Sequence, residues 1–265
     1  MIRFVAVGDL MVDVVAEGKG HRAHIAIAAG GSALNVACRA AALGAEAAVA
    51  GRVGDDAGGR LVLAHLAAQR VRADVGIDPQ APTGTVLVVD GEIRADRGAN
   101  ARYEPEHLPE QLEAEVVLVS GHLPEATVAA ALARADAAWL ALDAARLAGL
   151  PAGAPVVLAN EPAACRLTGL DAEAGVLQLA HGRRLACVTL GGAGAVAAWD
   201  GQVHRVTSPA TYVDADVAGA GDAFAAALLC GLARGATVPE ALAVACEAGA
   251  GVAGAGGAAA ALGAR

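Results

Sequence analysis

Asp216-Val217-Ala218-Gly219-Ala220-Gly221-Asp222-Ala223-Phe224 is the stretch whose reading decides this chain. A strand-like segment ends before it, near Val213, and an apolar helix runs after it from Asp222 to Ala233. Small residues therefore sit where an extended chain turns into a helix N-terminus. Without bulky side chains, backbone N–H groups approach an anion closely, and the helix dipole favours it. An acid at that point would repel a phosphate unless it moves a proton or holds a cation. The plain alternative is that Asp222 only caps the helix, a common stabilising role. Glycine turns before helices are also common, and short motifs match by chance. The stretch alone leaves both readings open.

Outward from it, the chain alternates strands and helices. Buried strands are expected at Ile2 to Gly8, Ala47 to Val53, Val116 to Ser120, Trp139 to Asp143, Val156 to Ala159 and Ala186 to Leu190. Helices are expected at Ala33 to Leu43, Asp56 to Gln69, Glu125 to Arg134 and Pro239 to Ala253. That rhythm predicts an α/β fold, a mostly parallel central sheet flanked by helices. Asp90-Gly91 and Asp200-Gly201 are hairpin turn signals between flanking strands. The first of these, with short strands near 12–16 and 23–28, predicts a small β-strand lid formed from about 12–28 and 83–103. Residues 1–265 are read as one domain that contains this lid.

Bulk properties narrow the function. Hydrophobic residues make up 56% of the chain but aromatics only 2%, so the core must be built from Ala, Val and Leu. The net charge is -9 and no basic run is present, which argues against a nucleic-acid partner. Five dispersed cysteines without a CxxC pair read as reduced core thiols, which points to the cytoplasm. His21 and His24 lack the Cys or acidic companions of a metal site. MIRFVAVGDL does not read as a secretory leader. Six glycines from Gly249 to Gly263 make the C-terminal stretch a poor membrane span. No membrane partner is expected.

The other end of the chain changes the balance for Asp222. Gly30-Gly31-Ser32-Ala33-Leu34-Asn35-Val36-Ala37 is followed by Gly44 and Gly54. This run resembles the first signature of the ribokinase-like (phosphofructokinase-B type) carbohydrate kinases, and Asp216 to Leu229 resembles the second. Two long patterns in the right order are far more specific than either alone. The resemblance implies a ribokinase-like fold and ATP-dependent phosphorylation of a hydroxyl on a small sugar or sugar acid. It implies Asp222 as general base and Gly219, Ala220 and Gly221 as the anion hole. Asp13, Gly30, Gly31 and Asn35 would line the substrate wall. Thr189, Gly191 and Gly194 resemble the nucleotide-binding turn, and Asn160 falls in the family's metal-linked motif. Asp216 falls where some members help hold a monovalent cation, so K⁺ joins ATP and Mg²⁺ as an implied cofactor. A homodimer is expected, since family members often bury the strand edges of such a lid.

The sequence also departs from that pattern. After Asn160 the family commonly places Glu three residues on; Ala163 stands there, and Glu161 comes two residues early. Glu161 is the remaining Mg-linked candidate. Arg97 and Asn100 close the presumed lid; facing the substrate, Arg97 would bind a carboxylate or phosphate and Asn100 a hydroxyl, which would favour a sugar acid. The commoner reading is an exposed polar loop. Gly249 to Gly254 fits a dinucleotide fingerprint by spacing but follows a helical stretch, not a strand. Neither a lysine-bearing phosphate loop nor a GxSxG elbow occurs. Two further hypotheses remain open: a nucleoside kinase of the same family, and a catalytically weak ligand-binding or regulatory protein on this fold.

Overall fold

The computed structural model describes residues 1–18, 20–89, 92–209 and 218–254. Nine strands form the large sheet: β1 (Arg3–Val7), β4 (Glu46–Gly54), β5 (Arg72–Asp78), β8 (Leu112–Ser120), β9 (Ala135–Asp143), β10 (Val156–Asn160), β11 (Leu185–Thr189), β12 (Ala195–Trp199) and β13 (Gln202–Val206). Their order is β13-β12-β11-β10-β9-β8-β1-β4-β5. All neighbours are parallel from β5 to β11. The final two, β12 and β13, run antiparallel. Between them Asp200 and Gly201 take φ 50° and 73°, as a tight hairpin turn requires.

A second sheet has the order β3-β2-β6-β7, built from β2 (Met11–Glu17), β3 (His24–Gly30), β6 (Gly84–Val89) and β7 (Glu92–Asp96). It comes from the two segments expected to leave the main sheet.

Seven helices complete the chain's described part: α1 (Ser32–Ala42), α2 (Ala57–Ala68), α3 (Glu125–Arg134), α4 (Glu161–Thr168), α5 (Ala172–Ala180), α6 (Ala220–Ala233) and α7 (Val238–Gly254). They cover both faces of the large sheet. Along β1, Phe4 and Ala6 join a core with α1, α2, α6 and α7, while Val5 and Val7 join another with α3. On the second face beyond β10, Ala186, Val188, Val196 and Ala198 pack against α4 and α5. Burial on both faces is why these strands read as unbroken apolar runs instead of alternating ones. Helix α6 is apolar almost all round because it lies between the sheet, α1 and α7.

Three elements were not anticipated. Strand β5 pairs only with β4 and carries Arg72, Asp74 and Asp78, so it lacks the apolar run of a central strand. Helices α4 and α5 are short, eight and nine residues, and Gly169 ends the first in a left-handed conformation. Among the described residues no helix is long and apolar enough to cross a membrane.

Asp56 joins the small sheet to the large one. It caps α2 by accepting from Gly59 N at 2.8 Å, and it also accepts from Thr83 N at 2.8 Å and Thr83 Oγ1 at 2.6 Å. Burial opposes its charge, but these donors outweigh it and hold the carboxyl below its ordinary range. Asp56→Ala is expected to cost about 2 kcal/mol, a cap plus hydrogen bonds to a charged acceptor. Urea denaturation reads this directly; a loss under about 0.5 kcal/mol, the ordinary scatter of surface substitutions, would contradict it.

Candidate active site

Parallel sheets place ligands outside the carboxyl ends of their strands, and the polar residues of this chain gather there. Asp9 follows β1, Ser120 ends β8, Asp143 ends β9, Asn160 ends β10 and Thr189 ends β11. Two cavities open above these ends. The larger, about 820 Å³, lies between the strand ends and the small sheet; Val86, Ile93 and Arg97 reach it from the latter. The smaller, about 470 Å³, lies between the Gly191–Ala193 turn after β11 and helix α7. They share Asn160, Thr189, Gly221 and Phe224 in their linings.

Asp222 lines the larger cavity next to Gly221, in the first turn of α6. The helix begins there because Gly219 takes φ 80°, a left-handed conformation that favours glycine. Gly219 and Gly221 both line the larger cavity, and Ala220 and Gly221 the smaller. The Asp222 carboxylate accepts from Ser32 Oγ at 2.8 Å and from Asn35 Nδ2 at 2.9 Å, both on the first turn of α1. Burial lifts its pKa to about 7, against the opposing effect of the Asn35 and Ser32 donors, and the Asp143 and Asp9 charges add to the lift. A carboxyl poised near neutrality is suited to accept a proton in its working range.

A second carboxylate supports the first. Asp9 is 3% exposed. It accepts from Ser32 N at 3.3 Å and Ser120 Oγ at 3.2 Å, and His122 Nδ1 lies 3.6 Å away. Burial opposes the Asp9 charge, but His122 outweighs it and holds the carboxyl low. The reciprocal pairing raises the His122 pKa against the opposing effect of burial. Asp143, close by, is raised by burial. Ser32 thus connects Asp9 to Asp222, one through its backbone and one through its hydroxyl.

The anticipated residues fall as follows. Gly31 is the N-cap of α1, with φ 99°, and lines the larger cavity beside Asn35 and Arg97. Gly30 ends β3 and is buried. Thr189 lines both cavities; Gly191 and Gly194 line the smaller. Asn160 lines both and caps α4, accepting from Ala163 N at 2.9 Å. Glu161 lines the smaller cavity. Ala163 is fully buried among α4 and α5. Asp13 lies on β2 with its carboxylate against Gly30, where a Cβ would come within 2.1 Å of Asp13 Oδ2, and it is outside the larger cavity's lining. Asp216 lies outside the described residues.

Asn100 corrects an expectation. It is 0% exposed. Its carbonyl accepts from Leu10 N at 2.9 Å, and its amide donates to Leu10 O at 2.9 Å and Arg97 O at 3.1 Å. It pairs with backbone as a strand neighbour would, and so holds the Arg97 turn against the β1–β2 junction instead of presenting an amide to a ligand. Conversely, Asp9, Ser32, Ser120, His122 and Asp143 were not assigned site roles from the sequence. Their shared signal is a polar residue at or just after the carboxyl end of a parallel strand, or at the start of the helix beside it.

Comparison with known proteins identifies the family and the fold. The profile of the pfkB family of carbohydrate kinases matches residues 1–264. A bifunctional protein HldE of Caulobacter vibrioides is 33% identical over 244 residues, covering 80% of this chain and 49% of that protein. The chain therefore spans about half of that relative's length. A fructokinase of Klebsiella pneumoniae is 31% identical over 266 residues, covering 85% of this chain and 83% of the relative. Among solved structures, a Vibrio cholerae fructokinase double mutant bound to fructose, ADP and potassium superposes with TM-score 0.82 at 26% identity, covering 99% of this chain and 95% of that one. A Thermotoga maritima ribokinase gives TM-score 0.82 at 20% identity, covering 94% and 92% of the two chains, which shows the shared fold.

Proposed function

The chain belongs to the pfkB family of carbohydrate kinases, and on that premise we propose that it phosphorylates a hydroxyl of a small sugar or sugar acid, with Asp222 as general base. The observation that carries this is the position of Asp222: one carboxyl, raised to about 7, in the larger cavity directly after Gly221, which lines both cavities. The larger cavity takes the acceptor and the smaller takes the nucleotide.

The donor set fits a nucleotide. The Gly191, Gly192 and Gly194 turn and the small residues Gly249, Ala250 and Ala253 of α7 leave a smooth-walled slot. The N-terminus of α6, opened by Gly219 and Gly221, offers N–H groups to a phosphate. Bound ATP supplies a γ-phosphoryl group that passes to the acceptor oxygen and leaves ADP. Asp222 receives the hydroxyl proton as that oxygen attacks. Ser32 and Asn35 hold its two oxygens, and Asp9 fixes Ser32 in turn. The first-turn N–H groups of α6 meet the charge on the transferring group. Among the described residues no group of three or more His, Cys, Asp or Glu side chains is placed to hold a metal. Mg²⁺ would accordingly be carried largely by nucleotide phosphates and water, with Glu161 the carboxylate lining that cavity. K⁺ remains a proposal that rests on the family resemblance of Asp216. The small sheet acts as a lid that excludes water from the transfer. Exposed Ile25 and Ile27 on its edge strand β3 support the proposed homodimer. Phe224 is the single Phe, Tyr or Trp among the described residues lining the larger cavity, which favours a sugar over a base that must be stacked.

ADP release with Mg²⁺ and K⁺ across pentoses, hexoses, sugar acids and nucleosides tests the proposal. We expect substrate-dependent turnover with at least one sugar or sugar acid. A panel in which none exceeds the substrate-free rate, while one still binds by thermal shift, would replace the kinase with a binding protein on this fold.

A further inference from the structure

The larger cavity contains two guanidiniums without an acidic partner. Arg97 enters from the small sheet, just after β7, and Arg146 from the loop after β9 of the large sheet. Among the described residues, no carboxylate lies within ion-pair distance of either. Elsewhere Arg3, Arg52, Arg72, Arg94, Arg102 and Arg205 pair with an acid, Arg134, Arg166, Arg183, Arg184 and Arg234 donate to backbone carbonyls, and Arg22, Arg39, Arg60 and Arg70 lie exposed on the surface outside the cavity. Three of the four carboxylates lining the cavity are engaged elsewhere, and the fourth, Glu125, lies exposed in the first turn of α3. Asp9 faces His122 and two donors, Asp222 holds Ser32 and Asn35, and Asp143 accepts from Ala145 N at 3.0 Å. Arg146 also lies near enough to His122 to oppose its protonation. His122 and Arg146 thus line the large-sheet side of the cavity, and Arg97 faces the same space from the small-sheet side.

We propose that the substrate of this site carries an anionic group, a carboxylate or a phosphate, besides the hydroxyl that it offers to Asp222, and that Arg97 and Arg146 grip that group from the two sheets. The inference rests on the reading of Asp222 as the transfer centre and extends it to substrate class. Guanidinium forks match carboxylate and phosphate oxygens and lose little hydration on pairing. An anion between Arg97 and Arg146 would also tie the small sheet to the large one. A neutral sugar leaves both cations unpaired when the cavity closes, so discrimination comes from the closed state.

The test uses matched pairs: each neutral aldose, its aldonic acid, and the same aldose bearing a terminal phosphate. Binding is measured by calorimetry on the Asp222→Asn protein, and kcat/KM by ADP release on the wild type. The anionic members are expected to exceed the neutral ones by roughly 10²-fold in both readouts, the discrimination of a closed site whose charges would otherwise stay unpaired. Whether acid or phosphate leads identifies the source of the charge. R97A and R146A are each expected to lower the anionic-to-neutral ratio by at least tenfold. Anion-selective binding that these variants abolish, without turnover of any member, would support the inference while removing the kinase reading. A ratio near one in the wild type, or one unchanged in both variants, would overturn the inference, whatever the turnover.

Discussion

Asp222→Asn is expected to lower kcat by roughly 10²- to 10⁴-fold, the usual contribution of a general base, with KM little changed because the side chain keeps its shape. It is also expected to stabilise the protein at alkaline pH. The folded-state pKa is raised from an ordinary 3.8 to about 7. The folded protein therefore binds that proton more tightly than the unfolded chain does. Stability is fully present below the unfolded pKa and is lost as pH rises through the folded one. Asparagine carries no charge to desolvate, so the loss disappears. Allowing for partial solvent access, the gain at pH 8 is about 2 kcal/mol. Thermal melts should show the difference between variant and wild type growing from pH 5 to pH 8. A variant with wild-type kcat, or a difference in Tm that ignores pH, would separate Asp222 from this role. Activity exchanged for stability at one residue is a signature that a simple helix cap would not give.

Gly31→Ala is expected to be the most damaging small substitution in the site. Gly31 has φ 99°, and its added Cβ would lie 2.4 Å from Asp9 O and 2.9 Å from Asp9 C. Those are backbone atoms that no rotamer change can clear. The first turn of α1 must shift, and with it Ser32 and Asn35, the two donors to Asp222. We expect a loss of about 3 kcal/mol from strain and overpacking and roughly 10²-fold in kcat/KM from misplacement of the base. Gly44→Ala provides the comparison. Gly44 also has positive φ, 82°, but nothing lies within 4 Å of its added Cβ. Its cost should be near 1 kcal/mol, from backbone strain alone, with activity retained. Equal effects of the two substitutions in urea denaturation and steady-state kinetics would show that the clash with Asp9 does not matter.

The fold was legible where burial on both faces left unbroken apolar strands, as at Phe4 to Val7 and Val156 to Ala159. It was illegible where that signal is diluted. Strand β5 is an edge strand with charges at Arg72, Asp74 and Asp78, and α4 and α5 are too short to show a period. Helix α6 was read from Asp222, whereas it starts at Ala220; Gly219-Ala220-Gly221 has the composition of a turn, and only the cap geometry reveals that the helix has begun. Within the site, Gly31, Asn35, Gly219 and Asp222 lie in dense small-residue motifs and stand out. Asp9, His122 and Asp143 are single polar residues after strands, and only the sheet order brings them together. Asn100 looked like a loop amide for a ligand because nothing local shows that it replaces a strand neighbour of Leu10.

The pH dependence of kcat/KM for the best substrate of the panel tests the central claim most directly. If Asp222 accepts the proton with its pKa near 7, kcat/KM should rise about tenfold per pH unit below that value and level off above it. A profile already flat from pH 5 upwards, with its inflection in the ordinary carboxylate range, would contradict the account.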